Sequence, residues 1–207
     1  MPVRATIHRR VLIGHDKQNI RSIHDFSLTI GSRDGLGECP PTVFLQFELN
    51  NIKHITKDNI LLLAYSHVAH DCVIEDDVVL TNQAALAGAV RVGRGAILGG
   101  YAIVHQYCSL GAYSFCAMGS AVNKDIPAFV KVRGNPATPF GINTLGLKRI
   151  GFSAEKIDAL RSAYRTTYRS KLTIEEALKQ LKPLVDKFEE VKIFANSVEN
   201  SNRGIAR

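Results

Sequence analysis

The sequence SHVAHDCVIEDDVVL, residues 66–80, places two histidines three positions apart and then continues with an aliphatic residue at every sixth position. From Leu62 to Val122 this six-residue step meets ten aliphatic residues and one cysteine, and the residue four places after each of them is mostly small. An α-helix has a period of 3.6 and a half-buried strand a period of 2, so neither explains a period of six. Chance alternation in an ordinary sheet would need eleven coincidences in phase. The pattern predicts a parallel β-helix of short strands and turns, with three units in each triangular coil of 18 residues.

The stacking of such coils predicts which side chains become neighbours. Residues 18 apart occupy the same place on successive coils, about 4.8 Å apart along the axis. His70, Gly88 and Gln106 are therefore expected in one column, and His105 is expected in the adjacent column with Ala69. The histidines of the opening stretch and His105 should share one connected region of the coil wall.

Three segments are expected along the chain. Residues 1–55 lack the six-residue period and are expected to be irregular, with a partial coil at VRATIHR, residues 3–9. Residues 56–140 are expected to form the β-helix, which ends where RGNPATPFGIN, residues 133–143, introduces two prolines and two glycines. Residues 141–207 are expected to form a helical domain.

The helical domain carries recognisable start signals. Ser153 is a candidate N-cap for a helix whose apolar residues Ile157, Leu160 and Tyr164 recur at spacings of 3 and 4. Thr173 and Glu176 have the spacing of a capping box that begins a second helix. A third helix is expected around residues 191–198, and the tail NSNRGIAR, residues 200–207, is expected at the surface.

Composition excludes several classes of protein. The 207 residues are 45% hydrophobic without tryptophan, and the net charge of +7 is too diffuse for a dedicated nucleic-acid binder but suits acidic partners. No apolar run approaches the roughly 20 residues that span a bilayer, and the N-terminus lacks the apolar segment of a signal peptide. The four cysteines form no CxxC pair and are expected to be reduced and buried. A cytoplasmic protein without an integral membrane segment or a nucleic-acid partner is expected.

Six stretches of the sequence form a set of motifs: HVAHDC, LTNQAALAGAV, GGYAIVHQYCSLGAYSF, RGNPATPFGIN, GLKRIGFS and RGIAR. Together they resemble the UDP-N-acetylglucosamine acyltransferases, which begin lipid A biosynthesis. The resemblance covers residues 56–207, with a short echo at residues 5–9. It implies a left-handed parallel β-helix of hexapeptide repeats followed by a C-terminal α-helical domain, and a homotrimer with active sites between subunits. It also implies acyl carrier protein and UDP-N-acetylglucosamine as partners, with no cofactor and no metal.

The resemblance also implies catalytic roles. Moving a 3-hydroxyacyl group from a thioester to the 3-hydroxyl of a sugar needs a base for the hydroxyl proton and donors for the oxyanion. By resemblance His70 is the base, Asp71 orients it and the N–H of Gly88 is the donor. A lone histidine is more often structural, but the motif around His70 favours catalysis.

Binding residues follow from the same resemblance. His67 and His105 match histidines that line the site, and Gln106 adds a polar side chain beside His105. Asn143 and Arg149 match residues that bind the nucleotide sugar, where a guanidinium suits a diphosphate; the alternatives are a capping Asn and a solvated Arg.

Two further assignments concern the acyl donor. Arg161, Arg165 and Arg169 recur every four residues and are expected to form a basic ridge that docks the acidic carrier protein, the alternative being a solvated helix face. Met118 is expected to bound the acyl tail, which favours about ten carbons over fourteen; the alternative is a flexible filler.

Departures from the family pattern leave other interpretations of the function open. Ala89, Leu145 and Ile150 replace a site histidine, a carboxylate and an arginine, and most N-terminal coils are expected to be absent from this truncated or divergent chain. One alternative is a catalytically impaired trimeric β-helix that binds partners or ligand without turnover. Another is a zinc hydratase that uses His67, His70 and His105 as ligands, although the His-x-x-His spacing argues against it.

Overall fold

The computed structural model describes residues 46–47, 54–55 and 59–207. Two-residue strands stack into three parallel walls, so the prediction of a parallel β-helix followed by helices is confirmed. The first wall contains β1 (Gln46–Phe47), β4 (His67–Val68), β7 (Ala85–Leu86), β10 (Ile103–Val104) and β13 (Ala121–Val122). The second contains β2 (His54–Ile55), β5 (Val73–Ile74), β8 (Arg91–Val92) and β11 (Ser109–Leu110). The third contains β3 (Leu61–Leu62), β6 (Val79–Leu80), β9 (Ile97–Leu98), β12 (Phe115–Cys116), β14 (Val130–Arg133) and β15 (Thr138–Ile142).

The residues that recur every six positions fill the interior of the coil, as predicted. From Val68 to Val122 every residue on the step is at most 3% exposed. The residues four places later, from Ser66 to Ile126, are also buried and turn the chain at the corners. Because each coil presents the same apolar interior to the next, burial rather than strand length stabilises strands of two residues.

The corners use a left-handed backbone conformation that the sequence pattern did not reveal. Ten residues at intervals of six, from Tyr65 to Gly119, have φ between 56° and 68°. This conformation costs an L-residue about 1–2 kcal/mol. The stacking offsets the cost, since from residue 83 onward each corner N–H donates to a carbonyl of the preceding coil at 2.7–3.1 Å. Eight of the ten are not glycine: Tyr65, Asp71, Asp77, Gln83, Ala89, Tyr101, Tyr107 and Tyr113.

Parallel pairing extends further toward the N-terminus than the expected start at residue 56. Strand β1 pairs with β4, and β2 pairs with β5. Partners in these pairs lie 21 and 19 positions apart, as for Gln46 with His67 and His54 with Val73, instead of 18. The longer connections break the six-residue period, which explains why the sequence pattern missed this coil. The predictions for residues 1–45, including the partial coil at residues 3–9, lie outside the described residues.

A hairpin and four helices follow the coils. Strand β15 pairs antiparallel with β14. The capping box of Thr173 with Glu176 and the N-cap of Ser153 are both present as predicted. Tyr113, Phe129 and Phe152 pack with ring centroids 5.7–6.1 Å apart and join the last coil to the helices. The helices are α1 (Thr144–Arg149), α2 (Ala154–Arg169), α3 (Ile174–Lys187) and α4 (Glu189–Glu199).

The prediction of a surface tail is wrong for Ile205 and Ala206, which are each 3% exposed. The tail pairs with the coil because Asp125 N–H donates to Gly204 O at 3.0 Å and Ala206 N–H donates to Asp125 O at 2.9 Å. The buried Asp125 carboxylate accepts three further hydrogen bonds, from Ser109 N–H, Ser201 Oγ–H and Arg203 N–H, at 2.7–3.1 Å. Asp125 therefore fastens the end of the chain to the β-helix.

We expect Asp125→Ala to lower the free energy of unfolding by at least about 2 kcal/mol, since it leaves three donors without their acceptor. Urea denaturation measures the change. Asn123→Ala is the matched control, because this neighbouring side chain is exposed and forms no hydrogen bond among the described residues. Equal stability of the two variants would contradict the role of Asp125.

The three cysteines in the described part of the chain, Cys72, Cys108 and Cys116, are free and buried. Burial raises the thiol pKa of Cys108 to about 11 and that of Cys116 to about 12. These thiols therefore stay protonated at neutral pH and serve as small apolar residues of the coil interior. The prediction that Cys39 is reduced and buried concerns a residue outside the described part of the chain.

Candidate functional site

His70 and Asp71 form an adjacent pair at a corner of the coil. His70 Nδ1 lies 3.0 Å from Asp71 Oδ2, and the two side chains are 58% and 35% exposed. Asp71 has φ of 59°, so the left-handed corner conformation positions its carboxylate beside the preceding side chain. In the tautomer whose Nδ1–H donates to Asp71, the Nε2 atom is available to accept a proton. The pair therefore has the arrangement of an oriented general base.

Gly88 lies directly against the His70 ring, as the column of residues 18 apart predicts. A Cβ atom at position 88 would lie 2.6 Å from both Cε1 and Nε2 of His70. Only glycine leaves room for the imidazole at this place. The Gly88 carbonyl accepts from Tyr107 N–H at 3.1 Å, whereas among the hydrogen bonds of residues 59–207 none is donated by the Gly88 N–H. The Gly88 backbone and the His70 imidazole are thus brought together at one point of the wall.

The other candidate histidines of the coil lie at different register positions from His70 within one chain. His67 lies on β4, and its register partner on β7 is Ala85. His105 follows β10, which places it two coils, or about 10 Å, along the axis from His70. Its Nδ1 lies 3.1 Å from Gln106 O. A site that uses His105 together with His70 therefore extends along the wall over three coils.

Residues 59–207 contain no group of three or more His, Cys, Asp or Glu side chains placed to hold a metal ion. His67, His70 and His105 in particular do not converge on one point in the single chain. The geometry of the single chain therefore gives no support to the hypothesis of a zinc hydratase.

The candidate nucleotide residues lie at the two ends of α1, a short helix at the start of the predicted helical domain. Asn143 is 8% exposed and caps α1, since its Oδ1 accepts from Gly146 N–H at 3.2 Å and its Nδ2 donates to Tyr113 O at 3.2 Å. Arg149 lies exposed in the last turn. Leu145 and Ile150 are 62% and 53% exposed, so the two departures from the family pattern place apolar side chains beside Arg149.

Exposed apolar side chains lie on the coil near the histidines, and apart from Met118 they were missed in the sequence analysis. Tyr101, Ile103 and Tyr107 are between 54% and 63% exposed, and Met118 is 77% exposed. The six-residue period marks interior residues but does not show which outward residues are apolar. This wall therefore offers apolar surface around a polar centre.

The arginines expected to dock a carrier protein all lie exposed on α2. Arg161 pairs with Asp158 at 2.7 Å, which neutralises part of the ridge. Arg165 and Arg169 form no ion pair with any carboxylate side chain in the part of the chain that the structure describes. The basic character of the ridge is therefore carried by Arg165 and Arg169.

No helix in residues 59–207 is both long enough and apolar enough to cross a bilayer. A family model described as UDP-N-acetylglucosamine O-acyltransferase, domain 2, matches residues 125–206.

Similar proteins cover a larger part of the chain. Proteins named acyl-[acyl-carrier-protein]–UDP-N-acetylglucosamine O-acyltransferase from Pseudomonas entomophila and Stutzerimonas stutzeri are each 51% identical to this chain over 150 residues, which is 72% of the chain and 58% of the relative. The structure of LpxA from Acinetobacter baumannii is 39% identical with a TM-score of 0.70, and covers 72% of this chain and 58% of its own. The chain thus spans 58% of the length of these relatives. The resemblance inferred from the sequence is confirmed: the matched part of this chain is homologous to the UDP-N-acetylglucosamine O-acyltransferase family.

Proposed function

We propose that this chain transfers a 3-hydroxyacyl group from acyl carrier protein to the 3-hydroxyl of UDP-N-acetylglucosamine, the first step of lipid A biosynthesis. The observation that carries the proposal is the packing of the His70 ring, paired with Asp71, against the Gly88 backbone. The names of the curated relatives supply the acyl donor and the acceptor.

In this proposal His70 Nε2 takes the proton of the sugar hydroxyl while the hydroxyl oxygen attacks the thioester carbonyl carbon. Asp71 holds the Nδ1 proton and stabilises the imidazolium that forms. The tetrahedral oxyanion accepts a hydrogen bond from the Gly88 N–H. Collapse of this intermediate breaks the C–S bond, and the thiolate of the carrier takes the proton back from His70.

Arg149 is the residue that we propose for the diphosphate of the nucleotide sugar. Its guanidinium is exposed and matches phosphate oxygens in a bidentate manner. Asn143 uses both of its side-chain polar atoms within the protein, so the proposal relies on Arg149 for this contact. Because Leu145 and Ile150 supply no charge here, we expect weaker nucleotide binding than a site with polar residues at these places would have.

One experiment tests the activity directly. The protein is incubated with 3-hydroxyacyl carrier protein and UDP-N-acetylglucosamine, and the products are analysed by mass spectrometry. Formation of the 3-O-acylated nucleotide sugar is the expected result. Titration calorimetry with the nucleotide sugar alone separates the impaired homologue, which would bind ligand without turnover, from a protein that does neither.

The basic ridge of α2 is the docking surface that we propose for the carrier protein. We expect Arg165→Glu to raise KM for the acyl carrier protein severalfold, with a larger effect at low salt, because reversing a charge repels an acidic partner. Nucleotide-sugar binding should be unchanged. Lys182→Glu reverses an exposed charge on α3 and is the matched control. An unchanged, salt-insensitive KM for Arg165→Glu would show that the arginines are a solvated face.

We further propose a homotrimer in the cytoplasm. The exposed apolar wall around Tyr101, Ile103 and Tyr107 is the kind of surface that buries itself against another copy, and three flat walls suit cyclic assembly. We expect a threefold mass by light scattering at micromolar concentration. Ile103→Lys should shift the protein toward monomer, whereas Lys182→Glu should not. A monomeric parent protein would remove the inter-subunit site from the proposal.

A further inference from the structure

A cleft lies among the β14–β15 hairpin, the C-terminal half of α2 and Arg207, and none of the wall histidines lines it. Its volume is about 530 Å³. Small-molecule sites in proteins measure about 300–1,000 Å³, so this cleft has room for a ligand larger than a single ion.

The lining of the cleft is strongly basic. Arg133, Arg169, Lys171 and Arg207 all line it, and no aspartate or glutamate side chain is among the lining residues. None of the four forms an ion pair with a carboxylate side chain within residues 59–207. Four cations gathered around one space repel one another, and an anion between them would relieve that repulsion.

The helix dipole does not account for this gathering. A helix C-terminus carries about half of a negative charge, which favours a cation such as Arg169 in the last turn of α2. Arg207 is also explained in part, since its Nη2 donates to Thr167 O and Leu172 O at 3.4 and 3.5 Å. Arg133, however, comes from the hairpin and not from a helix end. The partial negative charge of the helix C-terminus, about half a unit, is also far smaller than the four positive charges around the cleft.

The backbone also gives no reason for a lysine at position 171. Lys171 has φ of 58° directly after the C-cap Ser170, a place where glycine is the least strained residue. The ammonium at this position is therefore a feature of the cleft and not a requirement of the helix end.

Aromatic side chains complete the cleft. The Tyr164 and Tyr168 rings lie 4.7 Å apart, and Arg133 is held over the Phe140 ring at 5.0 Å. The Tyr168 hydroxyl oxygen is buried and has no hydrogen-bond partner in the described part of the chain.

We propose that this cleft binds a phosphate-bearing small molecule. Planar guanidinium groups match phosphate oxygens, and four cations exceed what a single carboxylate would balance. The concave shape and the tyrosine wall favour a small ligand over the convex surface of a protein partner. The cleft and the His70 wall share no residues, whereas Arg169 belongs both to the cleft and to the ridge that we propose for the carrier protein.

Titration calorimetry of the whole protein with inorganic pyrophosphate at low salt tests the proposal. We expect saturable binding of one pyrophosphate per chain that weakens as salt is added. Lys171→Gly should weaken it about fivefold or more while keeping or raising Tm, since glycine relieves the backbone strain. Arg133→Gln should weaken binding similarly. Lys182→Gln, which removes an exposed cation on α3, should leave affinity unchanged.

Three outcomes would overturn the proposal. The first is the absence of saturable binding by the parent protein. The second is a loss of affinity in Arg149→Gln with none in Lys171→Gly, which would place the pyrophosphate at the proposed nucleotide-sugar site. The third is unchanged pyrophosphate binding together with weaker acyl carrier protein binding in Lys171→Gly, which would make the cleft part of the protein-docking surface.

Discussion

We expect His70→Ala to lower kcat at least about a hundredfold, because it removes the group proposed to take the sugar hydroxyl proton. The His70 side chain is 58% exposed, so its truncation should change the stability of the fold by no more than about 0.5 kcal/mol. Steady-state kinetics with saturating acyl carrier protein and nucleotide sugar measure the effect. KM for the nucleotide sugar should change much less than kcat.

A second variant tests the position of the imidazole while keeping it. Gly88→Ala places a methyl group where it would lie 2.6 Å from His70 Cε1 and Nε2, so the ring must move away from the backbone donor. We expect kcat to fall in this variant as well, with His70 still present. The matched control is Ala121→Gly, which removes one methyl group on the same wall at a position whose register partner is Ile103. Near-parental kcat in a properly assembled His70→Ala protein would show that His70 is not the base.

The coil was predictable from sequence because its physics repeats. Each six-residue unit buries one side chain on its wall and one at its corner, so Ile74, Leu86 and Leu98 occupy equivalent buried positions. The neighbours of His70 follow from that repeat, since a fixed coil length turns a spacing of 18 residues into contact with Gly88. Helix starts at Ser153 and Thr173 were equally predictable, because a cap is a local hydrogen bond.

The parts that escaped prediction depend on contacts without a sequence signature. The first coil was missed because Gln46 and His54 lie eight residues apart, and His54 and Leu61 lie seven apart, instead of six. The tail was placed at the surface because nothing in its sequence shows that Ser201 reaches Asp125, 76 positions earlier.

The same limit applies to the basic cleft. Arg133, Lys171 and Arg207 come from three separate segments, and only the packing of the hairpin against α2 brings them to one space. Their charges are ordinary when read along the chain. Long-range convergence is therefore the information that the structure adds to the sequence.

Met118 is expected to limit the length of the acyl chain that the site accepts. Its side chain is 77% exposed and lies on the coil wall one coil beyond Gly100, whose carbonyl accepts from Gly119 N–H at 2.8 Å. A side chain that excludes four methylenes of the acyl tail forfeits about 0.8 kcal/mol for each, or about 3 kcal/mol in total. That energy corresponds to a preference on the order of a hundredfold for a ten-carbon over a fourteen-carbon donor.

The comparison that decides this point is kcat/KM for 3-hydroxydecanoyl against 3-hydroxytetradecanoyl carrier protein, in the parent and in Met118→Gly. We expect the parent to prefer the shorter chain and the glycine variant to shift toward the longer one, because removing the side chain opens the wall beyond position 118. Tyr65→Ala is the matched control, since it removes another exposed side chain of the coil outside that column. A side chain that limits acyl length contacts only the acyl chain of the donor, so Met118→Gly should leave KM for UDP-N-acetylglucosamine unchanged. A parent that prefers fourteen carbons, or a glycine variant with unaltered selectivity, would mean that Met118 is a flexible side chain on the surface and that the length of the acyl group is set elsewhere.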